Sequence, residues 1–465
     1  MQNFLNKLFK IEENQTTIKA EVIGGITSFF AMCYIVIVNP NQMTGFNPLV
    51  PGSIWNACFI GGIIAAVVAT LCMAFLANKP FALAAGMGLN SFFYVSFILP
   101  CILNLKSVEK GYGAGLAVIL LSGIIFLILS ITGLRKLIAT SLPKCLKSAI
   151  PAGIGLFIAF IGFKNSGIVV GSEFTFVALA DFTSWETAAP AIVAFIGFLA
   201  IVYFSKSKIA FLRNGAVILG IALSTILFYL FGLRVDVTKT SIGETFKDWI
   251  ELGLFNFDFA TAFDGKTIGS IFSVIMLIIT YCLVDMFDTV GTIYGTAAEA
   301  NMMDENGDPL DLEKCMLADS IGTAFGACTG TSTITTFVES ASGVAAGART
   351  GLASVVTAIL FALCLFLAPI AQYVPVVATA PALIYVGTLM CKNILNVDFS
   401  DITNAAPAFL TFILMPLTYS ISNGIMLGAI SYVILRLVTG KFSKEDFVVA
   451  GIAVIAILRF AFVLM

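Results

Sequence analysis

Phe81-Ala-Leu-Ala-Ala-Gly86-Met-Gly-Leu-Asn90 is the stretch on which the fold turns. It heads an apolar run that continues to Leu103, yet it opens as an extended, strand-like piece that glycine punctuates before a helix begins. Much later, Thr333-Ile-Thr-Thr-Phe-Val-Glu339-Ser-Ala-Ser-Gly343 follows the same plan, with a β-branched, extended entry and then a small-residue helix. Interruptions at corresponding places in two halves of an apolar chain point to a transporter built from inverted repeats. In such folds the substrate sits at the midplane against half-helix N-termini.

The rest of the sequence is that of an integral membrane protein. Of 465 residues, 59% are hydrophobic and only 11% charged, whereas a soluble domain carries roughly 25% charged residues; the mean hydropathy is +1.01. Lys and Arg number 25 against 27 Asp and Glu, so there is no basic excess of the kind that nucleic acid requires. The chain has no histidine. That removes His-based catalysis, His metal sites and His proton relays together, and leaves carboxylates as the proton carriers. The ten cysteines contain no CxxC pair and lie within or beside apolar runs, so they read as packing residues rather than a disulfide or zinc framework. No cofactor or metal is called for. Asp264-Gly-Lys-Thr267 ends like a P-loop but has Ala260 where the first glycine belongs. Asp304-Glu-Asn-Gly-Asp308 opens like an EF-hand loop but has Pro309 and Cys315 at the required glycine and glutamate positions.

Runs long enough to cross a bilayer, about 17 to 25 residues, recur fourteen times between residues 22 and 438. The run at 81–103 is the third and the run at 333–347 the tenth. The expected fold is therefore all-α, with about fourteen transmembrane segments arranged as a 7+7 inverted repeat and with its third and tenth spans broken. The segment 447–464, which carries Arg459, reads either as a further span or as an interfacial helix. With the N-terminus inside, 17 of the Lys and Arg residues fall on the inner side and 7 on the outer, as the positive-inside rule requires. Glu12, Glu13 and Glu21, with no small-residue cleavage site before the first span, argue against a signal peptide.

Few carboxylates lie deep in apolar runs, and each is a candidate for function. Asp285 and Asp288 stand three residues apart in Tyr281-Cys-Leu-Val-Asp-Met-Phe-Asp-Thr-Val-Gly-Thr292, on neighbouring positions of one helical face. Together they form a proton-binding pair, or else they are solvated at a cytoplasmic helix end. Glu339 falls where the strand-like piece meets its half-helix; its two oxygens suit parallel N–H bonds from a flat heterocycle, and its alternative role is to close the helix break. Asn90 offers a donor and an acceptor to the other side of such a ring, or packs as an amide between helices. Asp319, at the start of the ninth span, is either a site residue or a helix cap. Tyr34, Phe92 and Phe93 are the aromatic candidates for stacking, and Ser340 is a further polar candidate.

Six motifs in order carry a resemblance. Ile35-Val-Ile-Val-Asn-Pro40, Ala85-Gly-Met-Gly-Leu-Asn-Ser-Phe-Phe93, Phe287-Asp-Thr-Val-Gly-Thr292, Val338-Glu-Ser-Ala-Ser-Gly343, Arg349-Thr-Gly-Leu352 and Pro416-Leu-Thr-Tyr-Ser-Ile421 together resemble the AzgA-type purine permeases of the nucleobase-cation symporter 2 group. The likeness runs from about Phe4 to Lys441; Ala348 departs from it, standing where many relatives have glycine. The resemblance implies a plasma-membrane, proton-coupled importer of purine bases (hypoxanthine and guanine, or adenine), embedded in lipid with its N-terminus cytoplasmic. It implies no enzyme activity. By the same likeness, residues 1–21 form a cytoplasmic segment, 22–133 and 268–372 a core domain, 134–235 and 373–440 a gate domain, 236–267 an extracellular loop and 441–465 a C-terminal segment. Asn90, Asp285, Asp288 and Glu339 would contact the base. Which aspartate of the pair takes the proton stays open, although comparison with uracil and xanthine relatives favours Asp288 as the direct ligand. Whether the unit is a monomer or a homodimer also stays open. Two other readings remain: a SulP-type anion transporter of the same fold, and an intramembrane aspartyl protease, for which the Gly-x-Gly-Asp motif is missing.

Overall fold

A computed structural model describes residues 2–104, 107–132, 143–173, 175–235, 241–265, 267–269, 271–299, 302–303, 309–443 and 446–463. The Asp304–Asp308 stretch lies outside the described residues. A short helix α1 (Gln2–Phe9) precedes α2 (Ile18–Met32), α3 (Ile35–Met43) and α4 (Gly52–Cys72). Strand β1 (Leu83–Ala85) leads into α5 (Met87–Phe93), followed by α6 (Val108–Thr132) and α7 (Lys144–Asn165). A surface hairpin of β2 (Val169–Ser172) and β3 (Phe176–Leu179) comes before α8 (Trp185–Ser205) and α9 (Ala216–Leu230). The second half runs through α10 (Ile271–Glu299), α11 (Leu312–Thr329), β4 (Ile334–Thr336), α12 (Ser340–Ala345) and α13 (Gly351–Leu363). It closes with α14 (Val376–Cys391), α15 (Ile402–Leu417), α16 (Ile421–Val438) and α17 (Phe447–Val463).

Among the described residues, nine helices are long and apolar enough to cross a membrane. Fourteen were expected from the sequence, and the difference has physical causes. Four further apolar helices, Met87–Leu103, Ala216–Leu230, Ile402–Leu417 and Phe447–Leu458, run 10–17 residues, at or below the short end of the spanning range. Helix α11 carries Glu313, Lys314 and Asp319 within its 18 residues. The segment after Gly330 spends its length on a strand and a six-residue helix.

The two interrupted stretches meet. β1 and β4 pair antiparallel, with Leu83 opposite Thr336, Ala84 opposite Thr335 and Ala85 opposite Ile334. Hydrogen bonds from Gly86 N to Thr333 O and from Phe337 N to Ala82 O, each 3.0 Å, extend the pairing at both ends. All six strand residues are buried. An extended backbone in apolar surroundings must find partners for every N–H and C=O, and a two-stranded ribbon has two open edges. Side-chain hydroxyls close them. On one edge Thr70 Oγ1 accepts from Leu83 N at 3.0 Å and donates to Leu83 O at 3.1 Å, on the other Thr323 Oγ1 lies 3.1 Å from Ile334 N and 3.0 Å from Ile334 O, and at the ribbon's end Ser340 Oγ accepts from Ala82 N at 3.0 Å.

Close helix packing seats this ribbon. At Gly61 an added Cβ would fall 2.0 Å from Thr329 O, and at Gly322 2.7 Å from Ala69 Cβ, so α4 and α11 approach to backbone contact. Gly343 of α12 meets Ser28 Oγ at 2.1 Å and Gly24 O at 2.6 Å by the same measure, which fixes α12 against α2. Glu21, in the first turn of α2, is fully buried. Its carboxylate accepts N–H bonds from Arg349 (2.7 Å), Thr350 and Ala353 (both 3.2 Å), satisfying otherwise orphaned donors at the start of α13. Phe9 and Ile11 pack on Leu352 beside it, so the N-terminal segment is folded onto the bundle. The segment 241–258 packs likewise. Trp249 Nε1 donates to Thr329 O at 2.8 Å and Phe255 N to Cys328 O at 2.8 Å, which supplies donors to the last carbonyls of α11.

Candidate functional site

The strand pair delivers two half-helices to one place. Glu339 directly precedes α12, where the β-branched run ends and small residues let the helix start. Tyr34 OH donates to Glu339 Oε1 at 2.6 Å, a charge-assisted hydrogen bond from the wholly buried junction between α2 and α3. Asp288 lies on the facing side of α10, half-buried and within electrostatic reach of Glu339.

Asn90, in the second turn of α5, is fully buried. Ser332 donates its hydroxyl proton to Asn90 Oδ1, and Asn90 Nδ2 donates to Gln42 Oε1 at 3.4 Å. The Gln42 Nε2 is buried without a hydrogen-bond partner among the described residues. Gln42 and Thr323 are polar residues that sequence reasoning missed as site candidates. Gln42 lies two residues beyond the quoted Ile35–Pro40 motif, and that adjacency was the signal available for it.

Asp285 and Asp288 turn to different partners. Asp285 is buried and accepts from Thr323 Oγ1 of α11 at 2.6 Å, whereas Asp288 faces Glu339. One turn beyond Asp285, Thr289 Oγ1 hydrogen-bonds Thr335 Oγ1 of β4 at 2.8 Å. Asp319 is also fully buried and lies one turn before Thr323, on the same face of α11. The helix starts at Leu312, so Asp319 stands in its third turn rather than at its first residue.

The aromatic candidates separate as well. Phe92 packs on Tyr281, one turn before Asp285 on α10, with ring centroids 5.2 Å apart. Phe93 turns toward Phe97, Tyr112 and Gly115 of α6. Ser340 is engaged at the ribbon edge through Ala82 N. Chemically, the cluster offers a held carboxylate at Glu339, a second at Asp288 and an amide at Asn90, with apolar ring faces nearby. That set presents hydrogen-bond acceptors at the carboxylates and both a donor and an acceptor at the amide. Among the described residues, no group of three or more His, Cys, Asp or Glu is arranged to hold a metal ion.

A bundle of membrane-crossing helices with buried carboxylates around a paired break in two of its segments defines a multi-pass membrane transporter. The chain belongs to the permease family, whose sequence model matches residues 19–427. It is 38% identical to the guanine/hypoxanthine permease PbuO of Bacillus subtilis, over 94% of this chain and 96% of that one. It is 35% identical to the adenine permease AdeP of Escherichia coli K12, over 99% and 97% respectively. Among solved structures, the transmembrane domain of the cyanobacterial bicarbonate transporter BicA matches 87% of this chain and 97% of its own with a TM-score of 0.62 at 14% identity, a likeness of fold. The protein is thus a transporter and not an enzyme.

Proposed function

We propose that this chain imports purine nucleobases by proton symport with alternating access. The observation that carries the reading is the Tyr34–Glu339 hydrogen bond, which holds a carboxylate at a half-helix N-terminus with Asp288 in reach. A purine edge presents adjacent N–H donors and ring acceptors, which Glu339 and Asp288 on one side and Asn90 on the other complement. In this reading Asp288 touches the base and Asp285 carries the coupling proton. The buried hydrogen bond that ties Asp285 to Thr323 of α11 supports that division of labour.

The same proposal takes the chain as fourteen spans in two inverted sevens, with core and gate domains and the third and tenth spans broken, in the plasma membrane with the N-terminus cytoplasmic. The Lys and Arg distribution supports that orientation. The bicarbonate-transporter fold raises an anion substrate as the second reading. Glu339 and Asp288 within electrostatic reach of each other, with Asp285 three residues from Asp288 on α10, disfavour an anion and suit a neutral solute with a cation.

The test is uptake of radiolabelled hypoxanthine, guanine, adenine, uracil and bicarbonate in cells lacking their own base permeases, with and without a proton uncoupler, for wild type and Glu339→Gln. Uncoupler-sensitive purine uptake that Glu339→Gln abolishes supports the reading. A well-expressed protein that moves bicarbonate and no base overturns it.

A further inference from the structure

Thr323 lies outside the six motifs, and the purine reading uses only its bond to Asp285, not its bonds to the ribbon. Its hydroxyl stands between Asp285 of α10 and the backbone of β4. It lies 2.6 Å from Asp285 Oδ2, 3.0 Å from Ile334 O and 3.1 Å from Ile334 N. A threonine hydroxyl has one proton to give and two lone pairs with which to accept. Ile334 N–H takes one lone pair. Asp285 Oδ2 and Ile334 O then share what is left, and the sharing depends on whether Asp285 holds a proton.

With Asp285 ionised, two acceptors compete for one hydroxyl proton, and the charged one wins because charge-assisted bonds are roughly twice as strong. Ile334 O then loses its bond to Thr323. With a proton on Oδ2, Asp285 becomes the donor to the second Thr323 lone pair, the hydroxyl proton swings to Ile334 O, and every group in the trio is satisfied. The strand so held is the one that pairs with Leu83–Ala85 and leads within five residues to Glu339. Its partner strand leads within five residues to Asn90.

We propose that Thr323 is a positioning residue, a hydroxyl switch that couples the protonation of Asp285 to the seating of the β1–β4 ribbon and hence to the placement of Glu339 and Asn90. The proposal rests on the purine-symport reading for its consequence in transport, while the switch itself is a property of the trio. Other titratable groups around it are Tyr281, Cys282 and Asp288 on α10, Asp319 and Cys315 on α11, and Glu339 and Tyr34 at the end of the ribbon. Of the neighbouring helices, α7 brings Lys144 and Lys147 in its first turn with Cys145 between them, and Lys164 in its last. Helix α6 brings Glu109, Lys110 and Tyr112 in its first two turns, and α16 Tyr432 and Arg436 in its last two.

The experiment uses the full-length protein in detergent and reads hydrogen–deuterium exchange of residues 334–337 at one fixed pH. Asp285→Asn serves as a stand-in for the protonated carboxyl, since its amide donates where the acid would. Asp285→Asn is expected to slow exchange of this segment at least threefold when position 323 is Thr or Ser, and to leave it unchanged in Thr323→Val. Slowing that persists in Thr323→Val, or that is missing with Thr323 intact, overturns the switch. If Thr323→Val does not give a monodisperse protein, Thr323→Cys, a near-isostere with a weak S–H donor, must show the same loss. In cells, Thr323→Val is expected to flatten the pH dependence of purine uptake while Thr323→Ser preserves it; a wild-type pH profile in Thr323→Val also refutes the proposal. Failure of the wild type to move any purine would strike the transport reading alone, because the exchange arm reads the switch without substrate.

Discussion

Tyr34→Phe isolates the hydrogen bond on which the proposed site depends. The substitution keeps the ring, whose packing is complete because Tyr34 is wholly buried, and deletes only the hydroxyl that reaches Glu339 Oε1 at 2.6 Å. A hydrogen bond to a charged group is worth about 1.5–3 kcal/mol. Without it Glu339 keeps its place in the chain but loses the donor that orients its oxygens in the proposed site. If all of that orientation is spent on binding, the dissociation constant for a purine rises about 10- to 150-fold at 1.36 kcal/mol per decade. The assay is equilibrium binding of radiolabelled hypoxanthine and guanine to purified protein, paired with KM and maximal rate of uptake in cells. The expected pattern is a raised KM and Kd with normal expression and an unchanged elution profile. A Tyr34→Phe protein whose Kd stays within twofold of wild type would refute the claim that this bond organises the site.

Other substitutions test the framework around it. Gly343→Ala places a methyl 2.1 Å from Ser28 Oγ and 2.6 Å from Gly24 O; it should cost about 1–3 kcal/mol by overpacking and lower the melting temperature in fluorescence-detected size exclusion. Glu21→Ala leaves the N–H groups of Arg349, Thr350 and Ala353 without their buried acceptor. A loss of about 1–3 kcal/mol should follow, and an unchanged melting temperature would show that water replaces the carboxylate. Thr70→Val removes both edge bonds to Leu83 and should speed hydrogen exchange of residues 82–86 more than Thr70→Ser does. Asp311 precedes α11 between Lys314 at 2.8 Å and Lys79 at 3.2 Å. Partial burial pushes its carboxyl up, but the hydrogen bonds and charge of the two lysines outweigh this and hold it below the ordinary aspartate value. A depressed carboxyl contributes stability above the unfolded value and loses it as pH falls through the folded one. The melting-temperature gap between wild type and Asp311→Asn should therefore be present at neutral pH and shrink below about pH 4.

Local chemistry made several features legible in the sequence alone. Apolar runs and scarce charge declare a membrane protein because no water remains inside the bilayer to solvate either. Gly86 and the β-branched run 333–338 announce breaks because backbone preference is a property of a few adjacent residues. Carboxylates inside apolar runs stand out because each is costly there, which is why Asp285, Asp288 and Glu339 could be singled out from the sequence.

The tertiary structure decided what depends on residues far apart in the chain. The breaks at 83–85 and 334–336 pair with each other across some 250 positions, and no local pattern encodes that register. Asp285 and Asp288 share a helical face by spacing, yet α11 claims one and the half-helix at Glu339 the other, because neighbouring residues of one helix meet different packed elements. Thr323 and Gln42 are unremarkable in composition and acquire a role only through the atoms brought against them. Among the described residues, long spans are fewer than the apolar runs of the sequence for a related reason. Hydropathy counts residues that suit lipid, while the fold bends some of that length into strands and short helices wherever neighbouring hydroxyls can satisfy the backbone.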